Sequence, residues 1–188
     1  MDKIDRKTFL RQGLAYVAEK LASSMEDKIT PVKRKRIRPP YAVNEVLFLS
    51  LCNSCNRCME VCPHNAINFD DSENLIGAGK PVIAPRKSPC YMCEDMPCVK
   101  ACEPGALKKI EEEPLKMGRA IIIKERCNAW GGRDPFCDYC FDRCPLKGDA
   151  IYMDARGAPV VIDDKCTGCG ICEYICVADP PAIRVMPE

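Results

Sequence analysis

The chain has 188 residues, which is enough for one ordinary domain or for two small units. Its 28 basic and 27 acidic residues leave a formal charge of +1, so the polypeptide has no overall charge that would attract nucleic acid. The sequence has no run of about eighteen apolar residues, which argues against a transmembrane helix. We therefore expect no nucleic-acid partner and no direct membrane span.

The segment before the first cysteine divides into three parts. Residues 1–30 carry one apolar stripe at helical spacing and predict an amphipathic helix that docks on a partner or packs on its own domain. The basic run "VKRKRIRPP" ends in two prolines and predicts a linker over residues 31–44. The run "NEVLFLSL" predicts a short helix capped by Asn44, at the start of a cysteine-rich domain over residues 45–188.

Sixteen cysteines fall into four groups that begin at Cys52, Cys90, Cys127 and Cys166, at intervals of 38, 37 and 39 residues. Such a period indicates an internal repeat. Short runs before the groups ("GKPVIAPRKSPC", "GRAIIIKERC", "GAPVVIDDKC") and after them ("NAINF", "GALKKI", "DAIYMD", "PAIRVM") are typical of short strands. Each repeat is predicted to be a strand, a cysteine loop, a short helical turn and a strand.

Two of the groups, "CNSCNRCMEVCP" and "CTGCGICEYIC", have the spacing C-x2-C-x2-C-x3-C. This is the bacterial pattern for [4Fe–4S] clusters, in which the fourth cysteine binds the neighbouring cluster. The second group has two extra residues before its third cysteine, and the third group has its extra residues after its first cysteine. Because insertions between ligands can form loops, sixteen thiolates predict four [4Fe–4S] clusters.

Zinc and disulfide bonds are the alternatives for so many cysteines. A third cysteine two residues after a pair, followed by a fourth after three more, is not a zinc-finger or zinc-ribbon pattern. Disulfide partners need only meet in space, so disulfide chemistry does not explain tight groups repeated four times. Both alternatives are disfavoured.

The fourth cysteines can be exchanged between motifs in more than one way. Pairing the two regular motifs and the two irregular ones predicts halves built from motifs one and four and from motifs two and three. The ligand sets would be Cys52, Cys55, Cys58 and Cys176; Cys166, Cys169, Cys172 and Cys62; Cys90, Cys93, Cys98 and Cys144; and Cys127, Cys137, Cys140 and Cys102. Exchange between consecutive motifs remains open.

The motif order resembles the MauM/NapG-type polyferredoxins over about residues 36–188. The resemblance lies in "CYMCEDMPCVKACEPGAL", in the third motif C-x9-C-x2-C-x3-CPL, in "CTGCGICEYIC" and in the upstream "RPP…FLSLC". The chain is more distantly similar to the four-cluster subunits of molybdenum and tungsten oxidoreductases. These relatives imply an α+β fold of two fused ferredoxin-like halves, a row of clusters, and exchange between motifs one and four. The sequence departs from the family at Glu103, which follows Cys102 where proline is usual, and at Val177.

The compartment is less clearly indicated. "DRKTFLRQG" resembles a twin-arginine export signal, but the pair is Arg6 and Lys7. Glu19 and Lys20 then interrupt the apolar stretch, and no clean cleavage site follows. We therefore expect a cytoplasmic protein, with periplasmic export as the alternative.

Several residues near the cysteines are candidates for secondary roles. Gly168 and Gly170 are expected to let the loop approach a cluster, and His64 is expected not to be a ligand because the cysteines suffice. The remaining candidates are basic or aromatic neighbours of the motifs: Arg57, Arg86, Lys87, Arg126, Arg143, Lys165, Tyr91, Trp130, Phe136 and Tyr139.

The sequence contains no recognisable substrate site. We expect an electron-transfer subunit, not an enzyme in itself, that serves the catalytic subunit of a molybdenum or tungsten oxidoreductase. Other copies of the chain, or a ferredoxin, flavin or quinone-linked protein, are further candidate partners. A periplasmic quinol-oxidising relay and a cluster-bearing assembly protein are the alternatives.

Overall fold

Very short helices and strands, each beside a cysteine loop, make up the fold. The computed structural model describes residues 36–70, 77–110 and 114–188. The helices are α1 (Glu45–Leu51), α2 (Arg57–Glu60), α3 (Pro97–Lys100), α4 (Tyr139–Asp142) and α5 (Ile171–Tyr174). The strands are β1 (Ile67–Phe69), β2 (Pro81–Ile83), β3 (Gly118–Ile122), β4 (Ile151–Met153), β5 (Pro159–Val161) and β6 (Ile183–Pro187). The predicted helix over residues 1–30 lies outside the described residues.

Strand pairing joins consecutive motifs. β1 pairs with β2 between the first and second motifs, and β4 pairs with β5 between the third and fourth, both antiparallel. β3 and β6, which flank the third and fourth motifs, pair antiparallel with Ala120 opposite Val185. The corresponding positions around the first two motifs form a single antiparallel bridge between Ala42 and Leu107.

These pairings contradict the predicted halves. Motifs one and two share one set of strand contacts, and motifs three and four share the other, so the grouping of one with four and two with three is wrong. The physical reason is the hairpin, because a short antiparallel turn folds each motif back onto the next one along the chain. The predicted short strands themselves are confirmed, except that "GALKKI" contributes only the bridge at Leu107.

The predicted linker is wrong where the structure describes it, over residues 36–44. Arg38 is only 2% exposed, and Ile37, Pro39 and Pro40 are also buried. The Arg38 guanidinium donates to both carboxylate oxygens of Glu45 and, at 3.2 Å, to the carbonyl of Pro81. It also lies 4.8 Å from the centre of the Phe48 ring. The basic run with its two prolines predicted a linker, but burial of a charge is tolerated when the charge is fully paired.

Helix α1 begins as the sequence predicts. The Asn44 side chain accepts a hydrogen bond from the Leu47 N–H at 2.9 Å, which caps the helix. Phe48 is fully buried, whereas Val46 and Leu47 are exposed. The helix thus anchors the segment before the first cysteine to the core.

A tight contact joins the two pairs of motifs. Gly170, which precedes α5, has a φ of 90°, and a Cβ there would lie 2.6 Å from the Cβ of Pro85. The Cys90 N–H donates to the Cys169 carbonyl at 2.9 Å beside this contact. Gly170, which the sequence predicts to let its loop approach a cluster, thus also makes room for Pro85 of the other pair of motifs.

We expect Gly170→Ala to lower stability more than Gly148→Ala, a matched control. Gly148 also has a φ of 90°, but no atom lies within 4 Å of the place that a Cβ would take there. In both variants, an alanine in the left-handed conformation costs about 1–2 kcal/mol. Gly170→Ala adds about 1–3 kcal/mol because the new methyl group overpacks the contact with Pro85. Thermal unfolding of anaerobically prepared protein would measure the difference. Equal losses in the two variants would contradict the contact.

Candidate iron–sulfur centres

The third cysteine of every motif occupies the same place in a helix. Cys58, Cys98, Cys140 and Cys172 are each the second residue of a four-residue helix, in α2, α3, α4 and α5. The fourth cysteine follows four residues later, beyond the end of that helix. One helical turn therefore separates the two thiols, as the C-x3-C spacing predicts.

The cysteines line four cavities, each with about 350 to 460 Å³ of empty space that is partly open to solvent. The first cavity is lined by Cys52, Cys55, Cys58 and Cys102. The second is lined by Cys62, Cys90, Cys93 and Cys98. The third is lined by Cys144, Cys166, Cys169 and Cys172. The fourth is lined by Cys127, Cys137, Cys140 and Cys176.

This arrangement corrects the predicted exchange of fourth cysteines. Cys102 joins the first motif and Cys62 joins the second, while Cys176 joins the third motif and Cys144 joins the fourth. The prediction placed Cys176 with Cys52 and Cys62 with Cys166, and the structure does not bring those residues into one cavity. Similar spacing within two motifs carries no information about their proximity, because the insertions lie in loops and the hairpins decide which motifs meet.

The cavities fit a polynuclear group better than a single ion. Four thiolates on one zinc ion would each lie about 2.3 Å from it and would nearly touch one another. Among the described residues, no three cysteine, histidine or acidic side chains converge closely enough to hold one metal ion. Four thiols spread around an open space of this size suit the corners of an iron–sulfur cube.

Burial and mutual repulsion act on the thiols in these cavities. Burial is the largest cause that raises the pKa of Cys98 and Cys140 to about 12, and neighbouring thiolates add to it. Burial likewise raises the pKa of Cys58 and Cys90 to about 11. A positively charged metal group would offset this repulsion, and binding it would release the thiol protons.

Backbone N–H groups point at three of the four exchanged cysteines. Ala66 donates to the Sγ of Cys62, Leu107 to that of Cys102 and Ala182 to that of Cys176, each at 3.3 Å. Each donor follows its cysteine by four to six residues and is buried. Hydrogen bonds of this kind stabilise thiolate ligands and raise the reduction potential of the cluster that they hold.

Three of the basic residues near the motifs have ordinary partners. Arg57 forms an exposed ion pair with Glu103, which explains the acidic residue after Cys102 as a link between the first two motifs. Arg143 pairs with Asp142 at 3.6 Å. Arg86 donates to the carbonyls of Glu173 and Cys176 at 3.3 and 3.4 Å.

The aromatic candidates divide between cavity walls and loop supports. His64 and Tyr91 line the second cavity, and their ring centres are 4.3 Å apart. Tyr139 lines the fourth cavity, whereas Phe136 is 89% exposed. Trp130 donates to the Pro159 carbonyl at 2.8 Å and lies between Lys124 and Arg156, so it fixes the insertion of the third motif.

The sequence reasoning missed Asn56, which lines the first cavity. Asn56 has a φ of 65° and occupies the position that Gly170 takes in the fourth motif. Alignment of the two regular motifs, "CNSCNRC" with "CTGCGIC", places an asparagine opposite a glycine and could have indicated a left-handed residue. It could not have shown that the amide faces a cavity.

Comparison with known proteins agrees with these observations. A family profile described as a 4Fe-4S dicluster domain matches residues 51–106, which span the first and second motifs. The chain is 37% identical to the ferredoxin-type protein NapG of Escherichia coli (strain K12), over 97% of this chain and 85% of that protein. It is 38% identical to the methylamine utilization ferredoxin-type protein MauM of Paracoccus denitrificans, over 94% of this chain and 82% of that protein.

The fold, the cysteine cavities and these similarities define an iron–sulfur protein of the ferredoxin type, an electron carrier and not a catalytic enzyme. NapG of Haemophilus influenzae is also similar, at 33% identity over 97% of this chain and 72% of that protein. The chain belongs to the NapG/MauM family of ferredoxin-type proteins.

Double alanine substitutions would test which cysteines share a cavity. We expect Cys55→Ala with Cys102→Ala to remove one cluster's share of the iron, because both thiols line the first cavity. Cys55→Ala with Cys176→Ala should remove two shares, because these thiols line different cavities. Iron and acid-labile sulfide per chain would be measured after anaerobic purification. The reverse result would restore the exchange between motifs one and four.

Proposed function

We propose that this chain relays electrons along four [4Fe–4S] clusters between a redox partner and the catalytic subunit of a larger oxidoreductase. The single observation that carries the proposal is the row of four cavities with four cysteines each. A [4Fe–4S] cluster takes up and releases single electrons, at a potential set by its hydrogen bonds and exposure. The fold would be two fused two-cluster ferredoxin halves, one built from motifs one and two and the other from motifs three and four.

In this proposal the cysteines of each cavity are the ligands of one cluster. The four sets are Cys52, Cys55, Cys58 and Cys102; Cys62, Cys90, Cys93 and Cys98; Cys144, Cys166, Cys169 and Cys172; and Cys127, Cys137, Cys140 and Cys176. Because the two motifs of each half would exchange their fourth cysteines, each motif would supply a ligand to the other motif's cluster and the two would be held together. His64 would remain a neighbour of the second set and not a ligand.

Electrostatic interactions between cysteines of different cavities support a linear order from the first to the fourth. Burial is the main cause of the raised pKa of Cys98, and Cys58 of the first cavity is among the thiolates that add to it. Cys169 of the third cavity similarly adds to the raised pKa of Cys90, after burial. Burial also raises the pKa of Cys172, with Cys140 of the fourth cavity contributing. Each of these interactions joins a cavity to its immediate neighbour in this order.

The middle step of the relay would cross a backbone hydrogen bond. The Cys90 N–H donates to the Cys169 carbonyl at 2.9 Å, so a ligand of the second set directly adjoins a ligand of the third. The Thr167 hydroxyl and the Met92 sulfur, 3.1 Å apart, pack beside it. The two halves would thus be in direct contact beside these ligands.

A molybdenum or tungsten enzyme is the proposed catalytic partner, as the distant similarity to four-cluster subunits implies. The segment 1–30 is proposed to dock on a partner subunit or on its own domain. Among the described residues, no helix is both long and apolar enough to cross a membrane.

A periplasmic quinol-linked relay is the second candidate. The 37% identity to the ferredoxin-type protein NapG over 97% of the chain favours it. The two candidates share the clusters and differ in compartment and electron donor, and Glu19 and Lys20 remain the reason to expect the cytoplasm. Fractionation of native cells separates them: recovery with periplasmic markers would support the second candidate, and recovery with cytoplasmic markers would support the first.

We expect anaerobically purified protein to contain about sixteen iron and sixteen sulfide per chain, since four clusters hold four of each. The clusters should be reduced and reoxidised by a co-purifying oxidoreductase as it turns over, which stopped-flow absorbance near the visible cluster bands would measure. Heat-inactivated oxidoreductase is the control. About eight iron per chain would reduce the relay to two clusters, and full iron with no electron exchange would favour an assembly protein.

A further inference from the structure

The side chain of Asn56 lines the first cavity together with Cys52, Cys55 and Cys58. Its Oδ1 is shielded from solvent and, among the buried side-chain nitrogen and oxygen atoms of the described residues, it alone has no hydrogen-bond partner. Buried polar atoms are almost always paired, because leaving one unpaired costs folding free energy. The described part of the chain therefore supplies no hydrogen-bond partner for the buried end of the Asn56 amide.

The left-handed backbone tolerates asparagine at this position but gives its side chain no role. Asn56 immediately precedes α2, where asparagine commonly accepts a hydrogen bond from a helix N–H. Its φ of 65° is left-handed, and the side chain makes no capping bond. Gly170 fills the equivalent position before α5, and glycine adopts this conformation at lower cost.

The charge expected in the cavity favours Nδ2 over Oδ1 at the buried position of the Asn56 amide. Four thiolates and the sulfides of an oxidised [4Fe–4S] cluster give the site a net negative charge, which would repel a carbonyl oxygen. The two ends of an asparagine amide are nearly the same size, so half a turn about the Cβ–Cγ bond exchanges Oδ1 and Nδ2. The buried position then holds an NH₂ donor.

We propose that Asn56 donates a hydrogen bond from Nδ2 to a sulfur atom of the cluster in the first cavity and raises the reduction potential of that cluster. A donor stabilises the reduced cluster more than the oxidised one, because the reduced cluster carries one more negative charge. The inference rests on the proposed function, since it requires a cluster at this site.

The position of this donor distinguishes the first motif from the others. The residues two positions before the third cysteine are Met96, Asp138 and Gly170 in the other motifs, and none has a side-chain NH₂ group. The first cluster would therefore hold an electron more readily than its sequence spacing alone suggests. An electron arriving from the second cavity would settle at this end of the row.

Two substitutions and a control test the hydrogen bond. Asn56→Gly removes the amide and keeps a residue suited to a φ of 65°. Asn56→Asp keeps the shape, removes the donor and adds negative charge. Asn68→Ala is the control, because Asn68 lines the same cavity and already donates from its own Nδ2 to the Ala66 carbonyl at 3.3 Å.

The readout is an anaerobic potentiometric titration at pH 8 followed by electron paramagnetic resonance. We expect Asn56→Gly to shift one of the four clusters about tenfold toward the oxidised form at a given potential, which is about 59 mV for one electron. Asn56→Asp should shift the same cluster further, and Asn68→Ala should shift none. Unchanged midpoints in Asn56→Gly, or a shift matched by the control, would overturn the inference.

The native protein provides an independent measurement if the variants lose iron. Asparagine labelled with ¹⁵N only in its side-chain amide would be incorporated, and pulsed resonance on the reduced protein should show a ¹⁵N coupling at one cluster. Absence of that coupling overturns the proposed bond. Failure of the proposed function looks different, since it gives far fewer than sixteen iron per chain, whereas failure of the Asn56 bond leaves the iron complete.

Discussion

Each cavity of this protein is lined by three cysteines of one motif and by the fourth cysteine of the neighbouring motif. The rest of the structure depends on this exchange of fourth cysteines. The four helices that carry the third cysteines have four residues each, far too few to be stable alone. The strands are three to five residues long and give little further support. The clustered cysteines can lose their protons only when a positively charged group offsets the repulsion between the thiolates, so folding and iron binding are expected to be linked.

Much of this arrangement can be predicted from spacing. The distances between cysteines identify the thiols that share a loop, because two intervening residues hold neighbouring thiols on one curved segment. The alternation in "DAIYMD" and "PAIRVM" identifies β4 and β6. The Asn44 cap follows from a polar residue before an apolar run, and the structure confirms it. These features depend on residues that are close along the chain.

Features that depend on distant residues were not predictable in the same way. Which motif supplies the fourth thiol is decided by β1–β2 and β4–β5, and hairpin closure leaves no trace in the ligand spacing. The basic segment before α1 is buried because Glu45 and the Pro81 carbonyl surround Arg38, and these partners are 7 and 43 residues away. The Oδ1 of Asn56 is buried without a hydrogen-bond partner only once the chain has folded around the first cavity.

In the proposed relay, the contact between Gly170 and Pro85 would also affect how fast charge passes between the two pairs of motifs. It lies beside Cys169 and next to the hydrogen bond from Cys90. Electron tunnelling weakens exponentially as the gap between centres widens, so a methyl group that pushed Pro85 away from this glycine would slow that transfer. The absence of a side chain at residue 170 would thereby keep the two pairs of motifs close enough for electrons to pass.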